Sequence, residues 1–215
     1  MARSKTEASD LFFVPLILFM AVYFSTYGSH NFADLIDQRQ DAPSGASAEE
    51  KAADSSEGWF EIKSRYFTIY CEEATNINLI GRRLGRRALF TSGIYKPNPV
   101  SAPPQKVAYR MDMLLERVEE MLDMYPNLGR INVKIFKDRK ELNAEYSKIF
   151  GVHADYKSFY IHKYSTIYAS ETDISDSVMA HEMAHAVIDN YFSGLPPEKI
   201  GEILATYVDL HLENE

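Results

Sequence analysis

The string His181-Glu182-Met183-Ala184-His185 lies in a stretch from about Ile174 to Phe192 whose apolar residues recur at helical spacing. Residues four apart share a helix face, so His181 and His185 can present two imidazole nitrogens to one ion. Glu182 follows the first histidine, where its carboxylate reaches a water on that ion without being a ligand itself. Two neutral nitrogen donors, an open coordination position and an adjacent base are what a hydrolytic zinc site needs. The alternative is a helix whose two histidines are ordinary surface or core residues, and the surrounding sequence favours the metal.

Composition narrows the choice of ligands. The only cysteine is Cys71, so neither an internal disulfide nor a Cys-rich zinc site is available, and a metal must be held by His and carboxylates. With 215 residues and 46% hydrophobic content the chain can build one domain with a real core, but hardly two. The formal net charge of -8 argues against nucleic acid as a main partner, because phosphate binding needs a basic surface.

Three regions are expected along the chain: 1–34 as an N-terminal membrane anchor or signal segment, 35–58 as a disordered linker, and 59–215 as the folded domain. Leu11 to Tyr27 (LFFVPLILFMAVYFSTY) carries no charge and follows a short polar start with Arg3 and Lys5. It is long enough to span a bilayer marginally or to serve as the apolar part of a secretory signal. Thr26-Tyr27-Gly28 makes a poor cleavage site, so the expectation is an uncleaved transmembrane helix with the C-terminal domain outside the cytoplasm. Secretion or periplasmic release after cleavage is the alternative. From Gln38 to Gly58 the sequence is rich in Ala, Ser, Glu and Asp, and cannot bury enough surface to offset its conformational entropy.

Within the domain, Trp59 to Cys71 alternates apolar and polar residues and reads as a strand or hairpin. Asn76 to Phe90 reads as a helix carrying Arg82, Arg83, Arg86 and Arg87 on one face, a solvated surface rather than a phosphate or lipid-headgroup patch. Thr91 to Pro104 reads as a loop. Gln105 to Tyr125 has helical apolar spacing and is stopped by Pro126 and Gly129. Ile131 to Phe136 is a short strand, after which Asp138 caps a helix running to about Phe150. Tyr156 to Ser170 reads as two strands broken near His162-Lys163, with an edge strand near Ser165 to Ala169 expected to pair with an extended peptide. His153 and His162 lack a ligand-like partner spacing and read as surface or turn residues.

The third ligand is sought beyond Phe192. Ser193 to Pro197 breaks the helix, and a proline at the start of the next one is favoured because its missing N–H would be unpaired there anyway. Glu198 falls in that first turn, where it complements the helix dipole. Glu202 lies one turn further, in the otherwise apolar string Ile200 to Tyr207, where a buried carboxylate must be paired or metal-bound. Glu202 is therefore the expected third ligand, and Glu198 the fallback.

HEMAH, a proline-containing loop and then GEILATY resemble the active-site half of the gluzincin metallopeptidases, especially the peptidase MA-like group. The resemblance covers roughly Phe60 to Leu212, strongly at the C-terminal helices and loosely elsewhere. It implies an α+β, zincin-like fold with a small mixed sheet, a zinc cofactor and a polypeptide substrate. It also implies His181, His185 and Glu202 as ligands and Glu182 as general base. Metzincins are not matched, since Ile188 replaces their glycine and Tyr191 their third histidine. Thr206 stands four residues after Glu202, where related enzymes commonly carry a second carboxylate that orients a ligand histidine. Tyr160, Tyr164, Tyr168 and Tyr207 are the candidates for a transition-state donor. The expected function is a membrane-tethered zinc metallopeptidase; the rivals are a non-catalytic zinc-binding interaction module and a metal-free interaction protein using the four-Arg face.

Overall fold

The computed structural model describes residues 58–85 and 102–214. The apolar run Leu11 to Tyr27, the linker up to residue 57, Arg86 and Arg87, and most of the proline-rich segment lie outside those residues. Among the described residues no helix is long and apolar enough to cross a membrane.

The alternation at the start of the domain produces a hairpin, β1 (Trp59–Lys63) and β2 (Phe67–Glu72), with Ile62 opposite Ile69. The Asp112 carboxylate accepts from the Ser64 hydroxyl at 2.7 Å and from the Tyr66 N–H at 3.2 Å, which holds the turn between them. Helix α1 (Ile77–Arg83) follows, capped by Asn76. It is shorter than its charge spacing predicts: Leu84 turns extended (ψ 139°) and Gly85 takes φ +78°, a left-handed conformation suited to glycine. The four-Arg face depends on Arg86 and Arg87, which lie outside the described residues. Arg83 is spent on the carbonyls of Glu171 and Thr172.

Helix α2 (Pro103–Leu122) begins two residues earlier than its apolar pattern alone implies. Its two prolines occupy the first turn, where no N–H is needed. It ends when Asp123 turns left-handed (φ 52°), three residues before the first proline that was expected to stop it. Its buried stripe is Val107, Met111, Leu114, Leu115 and Val118. Strand β3 (Ile131–Phe136) and helix α3 (Arg139–Phe150) fall where the sequence puts them, with Asp138 accepting from the Glu141 N–H at 3.0 Å. After β4 (Ser158–Ile161) and a 3-10 turn at His162–Tyr164 comes β5 (Thr166–Ser170), then α4 (Asp176–Tyr191) and α5 (Glu198–Asn214).

The result is α+β: a mixed five-stranded sheet in the order β1-β2-β3-β5-β4 with five α-helices among the described residues. β2, β3 and β5 run parallel and are joined by helical crossovers, while β1 and β4 are antiparallel edges. On one face, Phe159 stacks on Tyr168 at 4.7 Å and meets Leu142 and Tyr146 of α3. Alternation sends Ile167 and Ala169 to the other face, in register with Val133 and Ile135, where α2 and α4 pack. β5 is thus an interior strand, buried along its whole length, and Ser165 to Ala169 cannot be the peptide-aligning edge. Both of its sides are already occupied, by β3 and β4. The free edge on this side of the sheet is β4.

The loop from β5 into α4 is pinned by an ion pair. Asp173 receives the Arg139 guanidinium through Nε at 3.0 Å and Nη2 at 2.5 Å, and the Ser170 hydroxyl at 2.7 Å. The Arg139 hydrogen bonds hold the Asp173 carboxyl well below its ordinary range, against the opposing effect of burial. A carboxylate depressed in the folded state stabilises the fold above its unfolded pKa, roughly 4, and loses that contribution as pH falls through the folded value. Asp173→Asn should therefore lower the thermal midpoint at pH 7. The difference from the parent should shrink as pH drops below about 4, as thermal unfolding across pH would show.

Candidate metal centre

Helices α4 and α5 carry the site, and their mutual packing is the most extensive between any two elements among the described residues. Ser175 caps α4 by accepting from the Val178 N–H at 3.2 Å, so the first helical residue, Asp176, lies more than one turn before His181. Its buried side is made of Met179, Ala180, Met183, Ala184, Val187 and Ile188, small enough in places for close approach. α5 answers with Gly201, Leu204, Ala205, Val208 and Leu212, a helical stripe that turns Glu202 toward α4. At Gly201 an added Cβ would stand 3.6 Å from His185 Nδ1, an ordinary contact distance, so the α5 backbone lies close against that ring.

The two expected imidazoles and the expected carboxylate converge. Glu202 Oε2 is 3.6 Å from His181 Nε2, and Oε1 is 3.5 Å from His185 Nε2. The imidazole centroids are 5.0 Å apart and the rings are inclined at 73°. One donor atom from each residue lies within 4.8 Å of the others, and this group could hold a metal ion. A tetrahedral ion bound at about 2.0–2.1 Å spaces its donors at roughly 3.3 Å, and each imidazole Nε2 lies within a few tenths of an ångström of that spacing from one of the two Glu202 oxygens. The side chains of His181 and Glu202 are each 27% exposed and that of His185 16%, so water reaches the group from one side. Two imidazoles and a carboxylate suit zinc, and equally other first-row divalent ions.

Burial works to lower the pKa of His181. The Glu202 hydrogen bond and the negative charges of Glu182, Glu202 and Asp209 outweigh it, and the pKa lies above its ordinary value. Those three carboxylates place negative charge at His181, which favours a cation there. Glu182 is buried beside it at 6% exposure, and its Oε1 accepts a hydrogen bond from the Ser158 hydroxyl at 2.7 Å.

Other expected residues fall elsewhere. Glu198 is in the first turn of α5, as the dipole argument suggests, and is not in the metal-binding group. His153 lies 3.2 Å from the Ser147 hydroxyl and His162 3.7 Å from Asp189, so neither joins the group. Tyr168 belongs to the core under α3, on the sheet face opposite α4, and burial pushes it up to about 12. That removes it as a donor to the site. Tyr207 packs on His211 with centroids 3.9 Å apart, and Tyr164 is exposed on the 3-10 turn. Tyr160, on the α4 side of β4, is raised to about 12, chiefly by burial and then by the charge of Asp189.

Two contributors were not anticipated. Asp209 lies two turns beyond Glu202 on α5, adds its charge at His181, and accepts from the Ser177 hydroxyl one turn before His181 on α4. It supplies negative charge near the imidazole that Thr206 does not. Its seven-residue spacing from Glu202 was the signal available in the sequence. Ser158 is the other, and no spacing announces it. Comparison with protein-family models, curated proteins and solved structures returns no match, so the chemistry of this centre is read from its own geometry.

Proposed function

We propose that the chain is a zinc metallopeptidase of the gluzincin type, tethered by Leu11 to Tyr27 and cleaving extended polypeptides outside the cytoplasm. The observation that carries this reading is the convergence of His181, His185 and Glu202, with the Glu182 carboxylate on the adjoining turn. When bound, a divalent cation there polarises a carbonyl oxygen and makes water more acidic. Glu182 accepts a proton from the attacking water and delivers it to the departing amine nitrogen. The mixed sheet with an antiparallel edge strand beside the HExxH helix supports a zincin-like fold.

Substrate alignment belongs to β4. The Ser170 N–H donates to the Lys157 carbonyl at 3.3 Å, and the register pairs Ser158 with Ala169. In an antiparallel ladder the residues bonded to the neighbour alternate, so the backbone groups of Ser158 and Tyr160 face the open edge. An extended peptide added there gains main-chain hydrogen bonds next to Glu182.

A zinc-binding module without hydrolysis is the second reading, favoured by Thr206 in place of a carboxylate. Full-length protein purified without chelator tests both by metal analysis and by mass spectrometry of a peptide mixture. One zinc per chain with cleavage is expected. Zinc without cleavage selects the module, and a metal-free protein sinks both.

A further inference from the structure

We propose that Ser158 is a positioning residue that couples peptide docking on β4 to the orientation of the Glu182 carboxylate; this rests on the hydrolytic reading above. Its hydroxyl donates to Glu182 Oε1 at 2.7 Å across 24 residues of sequence. Its own N–H and C=O face the open sheet edge by the alternation of the ladder. One residue therefore offers its backbone to the substrate and its side chain to the base. Phe159 next to it turns the other way, into the cluster with Tyr146 and Tyr168, and fixes the strand's rotation. The placement of the Ser158 hydroxyl against α4 follows from that packing rather than from a flexible loop.

A carboxylate beside an apolar helix surface can rotate about its last bonds, and a hydroxyl donor at one oxygen selects one plane for it. Charge-assisted hydrogen bonds contribute enough that their loss is expressed as roughly a ten- to hundredfold change in rate. The backbone groups that bind substrate remain when only the side chain is altered. The signature is thus a fall in kcat with KM unchanged.

The test uses the full chain and an internally quenched peptide chosen from those the parent cleaves. Ser158→Ala is expected to keep one zinc per chain and the parent's KM while losing ten- to hundredfold in kcat. Ser158→Thr, which keeps the hydroxyl, is expected to recover most of it. Equal kcat in parent and Ser158→Ala overturns the proposal. So does a loss that appears in KM alone, or one that Ser158→Thr reproduces in full, because both mark a packing role. If the parent cleaves no peptide, the hydrolytic reading itself has failed and this inference goes with it.

Discussion

Glu182→Gln should leave metal content at one ion per chain and reduce peptide hydrolysis by about a hundred- to ten-thousandfold, the range a general base supplies. The amide is the same size as the carboxylate, and its carbonyl can still accept from the Ser158 hydroxyl that now holds Oε1. What it cannot do is take a proton from water. Burial sharpens the expectation. Glu182 is only 6% exposed, and a neutral amide costs less to keep there than a charge, so the variant should unfold no earlier than the parent. Metal analysis, thermal unfolding and cleavage of the same quenched peptide read the three quantities separately. A variant that binds metal and cleaves at the parent's rate would falsify the assignment of Glu182 as base.

Glu202→Ala should weaken metal binding by more than the ten- to hundredfold that is typical of changes to groups merely supporting a ligand. It is the only carboxylate in the group that could hold an ion, with an oxygen near each imidazole nitrogen. Glu198→Ala is the matched control: same helix, same charge, one turn earlier, and outside the group. Competition with a chromophoric chelator measures both affinities. Added zinc at a hundred times its dissociation constant should also raise the parent's stability by about 2.7 kcal/mol, and this gain should vanish in Glu202→Ala. Metal lost in Glu198→Ala but kept in Glu202→Ala would reverse the ligand assignment.

Much of the local structure was legible in the chain because it depends on neighbours in sequence. Asp138 caps its helix through a bond to a residue three positions on, and the strand Ile131–Phe136 declares itself by its apolar alternation. The early end of α1 was set from further away, where Arg110 donates to the Leu84 carbonyl and the Gly85 N–H donates to Asp176. Arg83 leaves the expected helical face for carbonyls 88 and 89 residues downstream, beyond the reach of any window-based reading.

The site divides in the same manner. The HEMAH string by itself determined that two imidazoles share a helix face and that a carboxylate adjoins them, because four residues make about one helical turn. The expectation of an acid on the following helix rests on the resemblance and on Glu202 standing in an apolar string. That string is also why the sequence prefers Glu202 to Glu198; that its oxygens lie 3.5–3.6 Å from the two imidazoles depends on how α5 packs against α4, with Gly201 against His185. Strand order was decided only by the fold: β4 and β5 have similar composition, yet one is an edge beside Glu182 and the other is enclosed. Spacing along a helix repeats with the backbone and can be read from sequence. Which elements become neighbours depends on how the buried faces of the whole chain fit together, and that is settled only in three dimensions.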